Sequence, residues 1–252
     1  MAFLTCNAFS EALEMGVSFN VVLPQATLSQ IGVNASVTPG DLPLLYLLHG
    51  LSDDHSAWFR YTSIERYAAE AGIAVVMPAV GRSFYANEAQ GHRYWDYVSD
   101  ELPRIVGDFF RVSTRPQDTF VAGLSMGGYG AMRLALTFPD RFAAAATLSG
   151  GLDVSAVYEF PERRETLERV YGGPPAPEAD LFALLDGASP GGLPPLYVGC
   201  GTEDPLFDFS TRFALRAEAA GASVTTDFRP GGHEWPLWDA MIRDVIAWLP
   251  RR

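Results

Sequence analysis

Residues 119–140 read TFVAGLSMGGYGAMRLALTFPD, and the reading of this stretch decides the fold. It opens on an apolar run of strand character, TFVA, and closes on a helical pattern in which Met132, Ala135 and Leu136 share one face. Between them lies GLSMGG, residues 123–128. Glycine loses more chain entropy on folding than any other residue, so a cluster of it marks backbone that other residues cannot adopt. A strand that turns sharply into a helix has such backbone where the two elements cross, and a Cβ at Gly123 or Gly127 is expected to collide there. The turn strains Ser125, lifts its hydroxyl clear of the sheet and sets it beside the free N–H groups of the helix N-terminus. A serine in an ordinary turn gains nothing from this mounting.

Working outward, strand-like runs recur at Val17–Leu23, Leu44–Leu48, Ala74–Met77, Thr119–Ala122, Ala143–Leu148, Leu196–Gly199 and Val224–Phe228. Helical faces alternate with several of them. Ile64, Tyr67, Ala68 and Ala71 form one, Val98, Leu102, Ile105, Val106 and Phe109 another, and Met241, Val245 and Trp248 a third. The alternation predicts an α/β fold, a mostly parallel central sheet with helices on both faces. The first 40 residues differ. Their turn-rich end, SVTPGDLP (residues 36–43), suggests an antiparallel hairpin at the N-terminal edge of the sheet. Residues 151–195, with GGPPAP and SPGGLPP and one short helical patch at Leu181–Leu185, predict a small irregular insertion over the sheet that shapes a pocket. All 252 residues are expected to form a single domain around one core.

The composition, 48% hydrophobic and 19% charged, is that of a globular chain with a substantial core. A formal charge of −12 argues against nucleic acid and anionic membranes as partners, because both are bound through clustered Lys and Arg. The nearest approach to such a cluster, ERR at residues 162–164, reads as a solvated face. The N-terminal stretch lacks the basic segment and apolar run of a secretory signal, and no apolar run is long enough to span a bilayer, so a cytoplasmic location is expected. Cys6 and Cys200 have neither zinc nor redox-pair spacing, and His49 and His55 lack a third ligand at metal spacing. No P-loop lysine follows the glycine cluster, and no GxGxxG opens the first strand–helix unit. No metal or organic cofactor is therefore expected. The sequence leaves a homo-oligomer open.

A serine hydroxyl needs an adjacent base, and the base needs a third group to fix its tautomer. In strand–turn–helix sites the chain order is serine, acid, histidine. His49, His55 and His92 precede Ser125, which leaves His233, in RPGGHEWP after the last strand, as the base. Glu203, Asp204 and Asp208 directly follow the strand PLYVGCG. Asp204 is chosen because Pro205 biases it to an extended conformation, Glu203 is longer, and Asp208 is expected to start the next helix. The backbone N–H groups of Leu51 and Met126 are the expected oxyanion donors. Trp58, Tyr85 and Trp235 are candidate pocket walls, and Cys200 is expected to pack as a small buried apolar residue.

The segments LLYLLHGLSDDHSAW, TFVAGLSMGGYGAMRLAL, CGTEDPLF and GGHEW resemble the esterase branch of the α/β-hydrolases, most closely its small intracellular tributyrin-esterase type. The resemblance runs from VSFNVVLPQ to the last helix and is weakest between Gly151 and Pro195. It implies the α/β-hydrolase fold and a carboxylesterase for short-chain acyl esters, with Ser125 as nucleophile, His233 as base and Asp204 as its orienter. Activity is then expected to fall on acidification as the imidazole is protonated. S-formylglutathione hydrolases and acetyl, feruloyl and mycolyl enzymes are relatives in the same branch. HGLSDD lacks the cysteine-containing segment associated with the formylglutathione enzymes. An acyltransferase and a non-catalytic binding protein on the same fold are the rival readings.

Overall fold

The computed structural model describes every residue except 28, 30, 33, 34, 36–39, 190, 251 and 252. Eight strands form one sheet in the order β1-β2-β4-β3-β5-β6-β7-β8. Two antiparallel strands, β1 (Ala2–Ser10) and β2 (Met15–Leu23), form the edge, and β2 is antiparallel to β4 (Ala74–Pro78). The pairs joining β4, β3 (Leu44–Leu48), β5 (Thr119–Leu124), β6 (Ala144–Leu148), β7 (Leu196–Gly201) and β8 (Val224–Arg229) are all parallel. The expected mixed sheet with an antiparallel N-terminal edge is therefore present.

The turn of the edge hairpin precedes the turn-rich connection SVTPGDLP. Residues 11–14 make it, with Glu14 at a φ of 54°, while residues 36–39 lie outside the described part. The turn is pinned from a distance by Glu101, whose carboxylate accepts hydrogen bonds from the Ser10 hydroxyl and from the N–H groups of Glu11 (2.7 Å) and Ala12 (3.3 Å).

Period-two alternation in the strands assigns residues to two layers. Leu44, Tyr46 and Leu48 of β3, Val121 of β5 and Val198 of β7 face one core, while Leu45, Leu47, Phe120, Ala122 and Tyr197 face the other. α1 (Ala57–Tyr61) and α2 (Ile64–Ala71) cover the second face together with α10 (Trp235–Trp248). The first face carries α3 (Tyr94–Asp96), which runs through a π-helical turn (Tyr97–Glu101) into α4 (Leu102–Phe109), then α5 (Met126–Thr137). Phe109, read as part of the apolar face, is instead exposed at the end of α4.

Between β6 and β7 the chain is more helical than its prolines and glycines predict. It forms α6 (Val154–Tyr158), α7 (Pro161–Tyr171) and α8 (Leu181–Asp186) on the same face as α9 (Phe207–Ala219). Pro161 opens α7 rather than breaking it, because the first helical position has no intrahelical bond to lose. Asp153 and Asp180 cap α6 and α8 by accepting N–H bonds. No helix among the described residues is long and apolar enough to cross a membrane.

Candidate active site

The sequence brings Ser125 to the carboxyl edge of the sheet by the crossing its glycines implied. Ser125 has φ 52° and ψ −117°, a conformation that side chains rarely adopt, and it forms the N-cap of α5. A Cβ on Gly123 would strike the backbone of Gly127, and one on Gly127 would strike the carbonyls of Leu48 and His49. The strain is held by backbone bonds, from Ser125 N–H to the Leu148 carbonyl (2.9 Å) and from Gly151 N–H to the Ser125 carbonyl (3.1 Å).

His233 and Asp204 arrive from the loops after β8 and β7, where parallel sheets gather functional groups. His233 Nε2 lies 3.1 Å from Ser125 Oγ, and His233 Nδ1 lies 2.9 Å from Asp204 Oδ2. The chain Ser125–His233–Asp204 is thus continuous, with the imidazole partly open and the Asp204 side chain fully covered. Burial pushes the Asp204 pKa up, but hydrogen bonds from His233 and the Ser149 hydroxyl, joined by the Leu206 N–H at 2.8 Å, outweigh it and leave the pKa lowered. An ionised carboxylate at Nδ1 holds the proton there and leaves Nε2 as the acceptor facing the serine. Of the other two acids considered, Asp208 pairs with Arg212 on α9, and Glu203 is exposed.

Sequence reasoning missed the layer behind this row. Trp238 Nε1–H donates to Ser149 Oγ at 3.0 Å, and its ring stands edge-on to the His233 imidazole, with centroids 4.8 Å apart. Ser149 itself sits at φ 49° just past β6. A serine followed by two glycines at the end of a predicted parallel strand was the available signal for it, whereas nothing local marks Trp238.

The expected oxyanion donors flank the same point. Among the described residues, neither the Leu51 N–H nor the Met126 N–H donates to a protein acceptor, and both residues border the pocket that contains Ser125. The loop carrying Leu51 is anchored by the residues read as pocket walls. Trp58 Nε1–H donates to the Leu48 carbonyl (3.0 Å) and Tyr85 O–H to the His49 carbonyl (3.0 Å), with both side chains buried. Trp58 and Tyr85 are therefore braces beneath the loop, not walls, because their polar tips need buried partners that the strand carbonyls supply. Trp235 does line the cleft, packed edge-on against Trp58.

His49 completes the brace. Its Nε2 accepts from Val80 N–H at 3.0 Å while Nδ1 faces the Gly50 carbonyl at 2.7 Å, which fixes a neutral ring with the proton on Nδ1. Burial pushes its pKa down to about 4. Cys200 packs as a buried thiol, its pKa pushed up to about 11 by burial.

Two compartments meet at Ser125 and His233. One, of about 200 Å³, is walled by Phe84, Met126, Val157, Phe160 and Leu206. The other, of about 350 Å³, is polar, with Ser52, Asp53 and Arg82 beside Trp235. Arg163 borders both, which corrects the reading of residues 162–164 as a purely solvated face. Folding of residues 161–171 into α7 turns Arg163 toward the site while Arg164 pairs with Glu159. Among the described residues, no group of three or more His, Cys, Asp or Glu side chains could hold a metal ion.

The family model described as "Putative esterase" matches residues 10–249. An acetyl esterase from Caldicellulosiruptor saccharolyticus is 25% identical over 100% of this chain and 99% of its own. The fluorophosphonate-binding serine hydrolase F of Staphylococcus aureus, solved with substrate bound, superposes with a TM-score of 0.89 at 35% identity, covering 100% of this chain and 99% of that one. An S-formylglutathione hydrolase from the same organism gives a TM-score of 0.84 at 35% identity, covering 98% of each chain.

Proposed function

This chain belongs to the esterase family of α/β-hydrolases and is a serine carboxylic ester hydrolase; from that premise we propose that Ser125, His233 and Asp204 carry its reaction on short-chain acyl esters. The supporting observation is the unbroken row from Ser125 Oγ through the imidazole to the covered Asp204 carboxylate, at 3.1 and 2.9 Å.

In this reading Ser125 Oγ attacks the ester carbonyl carbon as its proton passes to His233 Nε2. Asp204, bonded at Nδ1, stabilises the imidazolium that forms without taking the proton itself. The carbonyl oxygen becomes an oxyanion that accepts bonds from the Leu51 and Met126 N–H groups, each worth about 3 kcal/mol of barrier. The imidazolium returns its proton to the leaving oxygen, and the alcohol departs. Water then repeats the sequence on the acyl-enzyme, with His233 again as base, and releases the acid. The apolar compartment takes the acyl chain and the polar one the leaving group.

Thioester hydrolysis of the S-formylglutathione type uses the same steps, and the 35% identity to a solved enzyme of that name supports it as a second reading. We read the chain as one domain, because a single sheet carries every part of the site. We also read it as cytoplasmic, in keeping with two cysteines that are both free thiols.

Ser125→Ala is expected to abolish hydrolysis of p-nitrophenyl acetate and labelling by a fluorophosphonate, with the circular-dichroism spectrum unchanged. Retained turnover removes Ser125 from the reaction.

A further inference from the structure

All eighteen basic residues of this chain are arginines, set against thirty acidic ones. Most of the described arginines are visibly spoken for. Arg169 pairs with Glu88, Arg212 with Asp153 and Asp208, and Arg229 with Asp227 and Asp244. Arg133 donates to the Tyr85 carbonyl and stacks on Trp95, and Arg141 donates to the Ser99 carbonyl. Even Arg82, in the polar compartment, donates to Thr166 Oγ1 at 3.2 Å. Among the described residues, the guanidinium of Arg163 has no hydrogen bond, ion pair or ring contact, although it is half-buried and borders both compartments at Ser125 and His233.

In a protein with a charge of −12, carboxylates to pair with are plentiful, yet at this cleft a half-buried guanidinium keeps its N–H groups free of any described protein acceptor. The two acids that line the compartments do not satisfy it. Glu162 borders only the apolar compartment, and Asp53, in the polar one, is tied to its own loop by a hydrogen bond from the Gly50 N–H. Neither forms an ion pair among the described residues. A guanidinium presents N–H groups in a planar fork that fits a carboxylate with two parallel bonds.

We propose that Arg163 is a specificity-determining residue that binds a carboxylate on the leaving group, so that the favoured substrates are esters of alcohols, or thioesters of thiols, that carry an anionic group. The inference rests on the assignment of the two compartments under Proposed function. The apolar one, walled by Phe160 and Val157, offers a carboxylate no second cationic side chain beyond the reacting Ser125 and His233, whereas the polar one adds Arg82. A leaving group lying there brings its charge between the two guanidiniums and its departing atom to His233.

The test compares two acetyl esters, 4-acetoxybenzoate and its methyl ester, which differ by the charge on the leaving group, each corrected for its rate with hydroxide. Mono-4-nitrophenyl succinate carries the carboxylate on the acyl side instead. Wild type is expected to prefer the anionic acetyl ester, less so at high salt. Arg163→Gln should lower kcat/KM on it about 10- to 100-fold, chiefly through KM, the range for a lost hydrogen bond to a charged group, and leave the methyl ester within about twofold. Arg163→Lys, which keeps the charge and loses the fork, should fall between. Equal losses on both acetyl esters, no loss on either, or a loss confined to the succinate overturns the proposal. Failure of wild type to hydrolyse either acetyl ester is a different result, one that strikes the assignment of the site itself.

Discussion

Asp204 has a side chain with no exposed surface, and it is nonetheless an acid held in its ionised form. Burial alone raises a carboxyl pKa, and the bonds it accepts from His233, Ser149 and Leu206 reverse that. A carboxylate whose pKa is lowered on folding contributes stability above its unfolded pKa of about 3.9 and loses it as the pH falls through the lower folded value. In the proposed mechanism, catalysis depends on it more sharply. Asp204→Asn presents an amide in place of the acceptor at Nδ1, turns the imidazole to the wrong tautomer, and should lower kcat by about 10³- to 10⁴-fold in steady-state assays. Glu203→Gln and Asp208→Asn should stay within about twofold, since neither side chain bonds His233. The choice of Asp204 was legible in sequence because Pro205 and the preceding strand narrowed three acids to one. Ser149 and Trp238 were not, since the bonds that join Trp238 to Ser149 and Ser149 to Asp204 link residues far apart in the chain.

At the scale of elements, the β5–α5 crossing is the tightest joint in the fold. Gly123→Ala drives a Cβ into the Gly127 backbone, which cannot move without shifting α5, and should cost about 3 kcal/mol or more in urea unfolding. Gly16→Ala, where a Cβ meets nothing within 4 Å, should be neutral or stabilising by up to about 1 kcal/mol. The second joint ties the end of β3 to the end of β4 through His49. Its folded form favours the neutral ring, so as the pH falls the unfolded chain takes up the proton first. Stability from this residue is fully present above about pH 6.5 and is lost progressively down to about pH 4, by at most about 3 kcal/mol. His49→Gln should flatten that slope in a pH series of urea unfolding curves. Periodicity and glycine placement made the first joint readable. The second was not readable beyond the lack of a third metal ligand near His49, because its partner Val80 is brought to it by the parallel pairing of β3 with β4.

For the molecule as a whole, we place specificity mainly in residues 151–186, which fold as three helices over the first face of the sheet and border the apolar compartment. Phe160 and Val157 close the apolar compartment there, with Phe160 stacked on Phe209. Phe160→Ala should move the preferred acyl chain from acetate toward octanoate, each extra methylene gaining about 0.8 kcal/mol, or roughly fourfold in kcat/KM, where it finds new apolar surface. A p-nitrophenyl ester series measures the shift. The sequence alone determined the layered sheet, the strained mount of Ser125 and the order of its partners, because period, glycine crowding and strand-end position are local properties that survive without knowledge of packing. Tertiary structure alone decided that Trp58 and Tyr85 brace a loop, that Trp238 and Ser149 stand behind the acid, and that Arg163 faces the cleft unpaired. Those roles depend on which surfaces meet across the folded chain, and a side chain of one type can serve as brace, wall or ligand according to what lies opposite it.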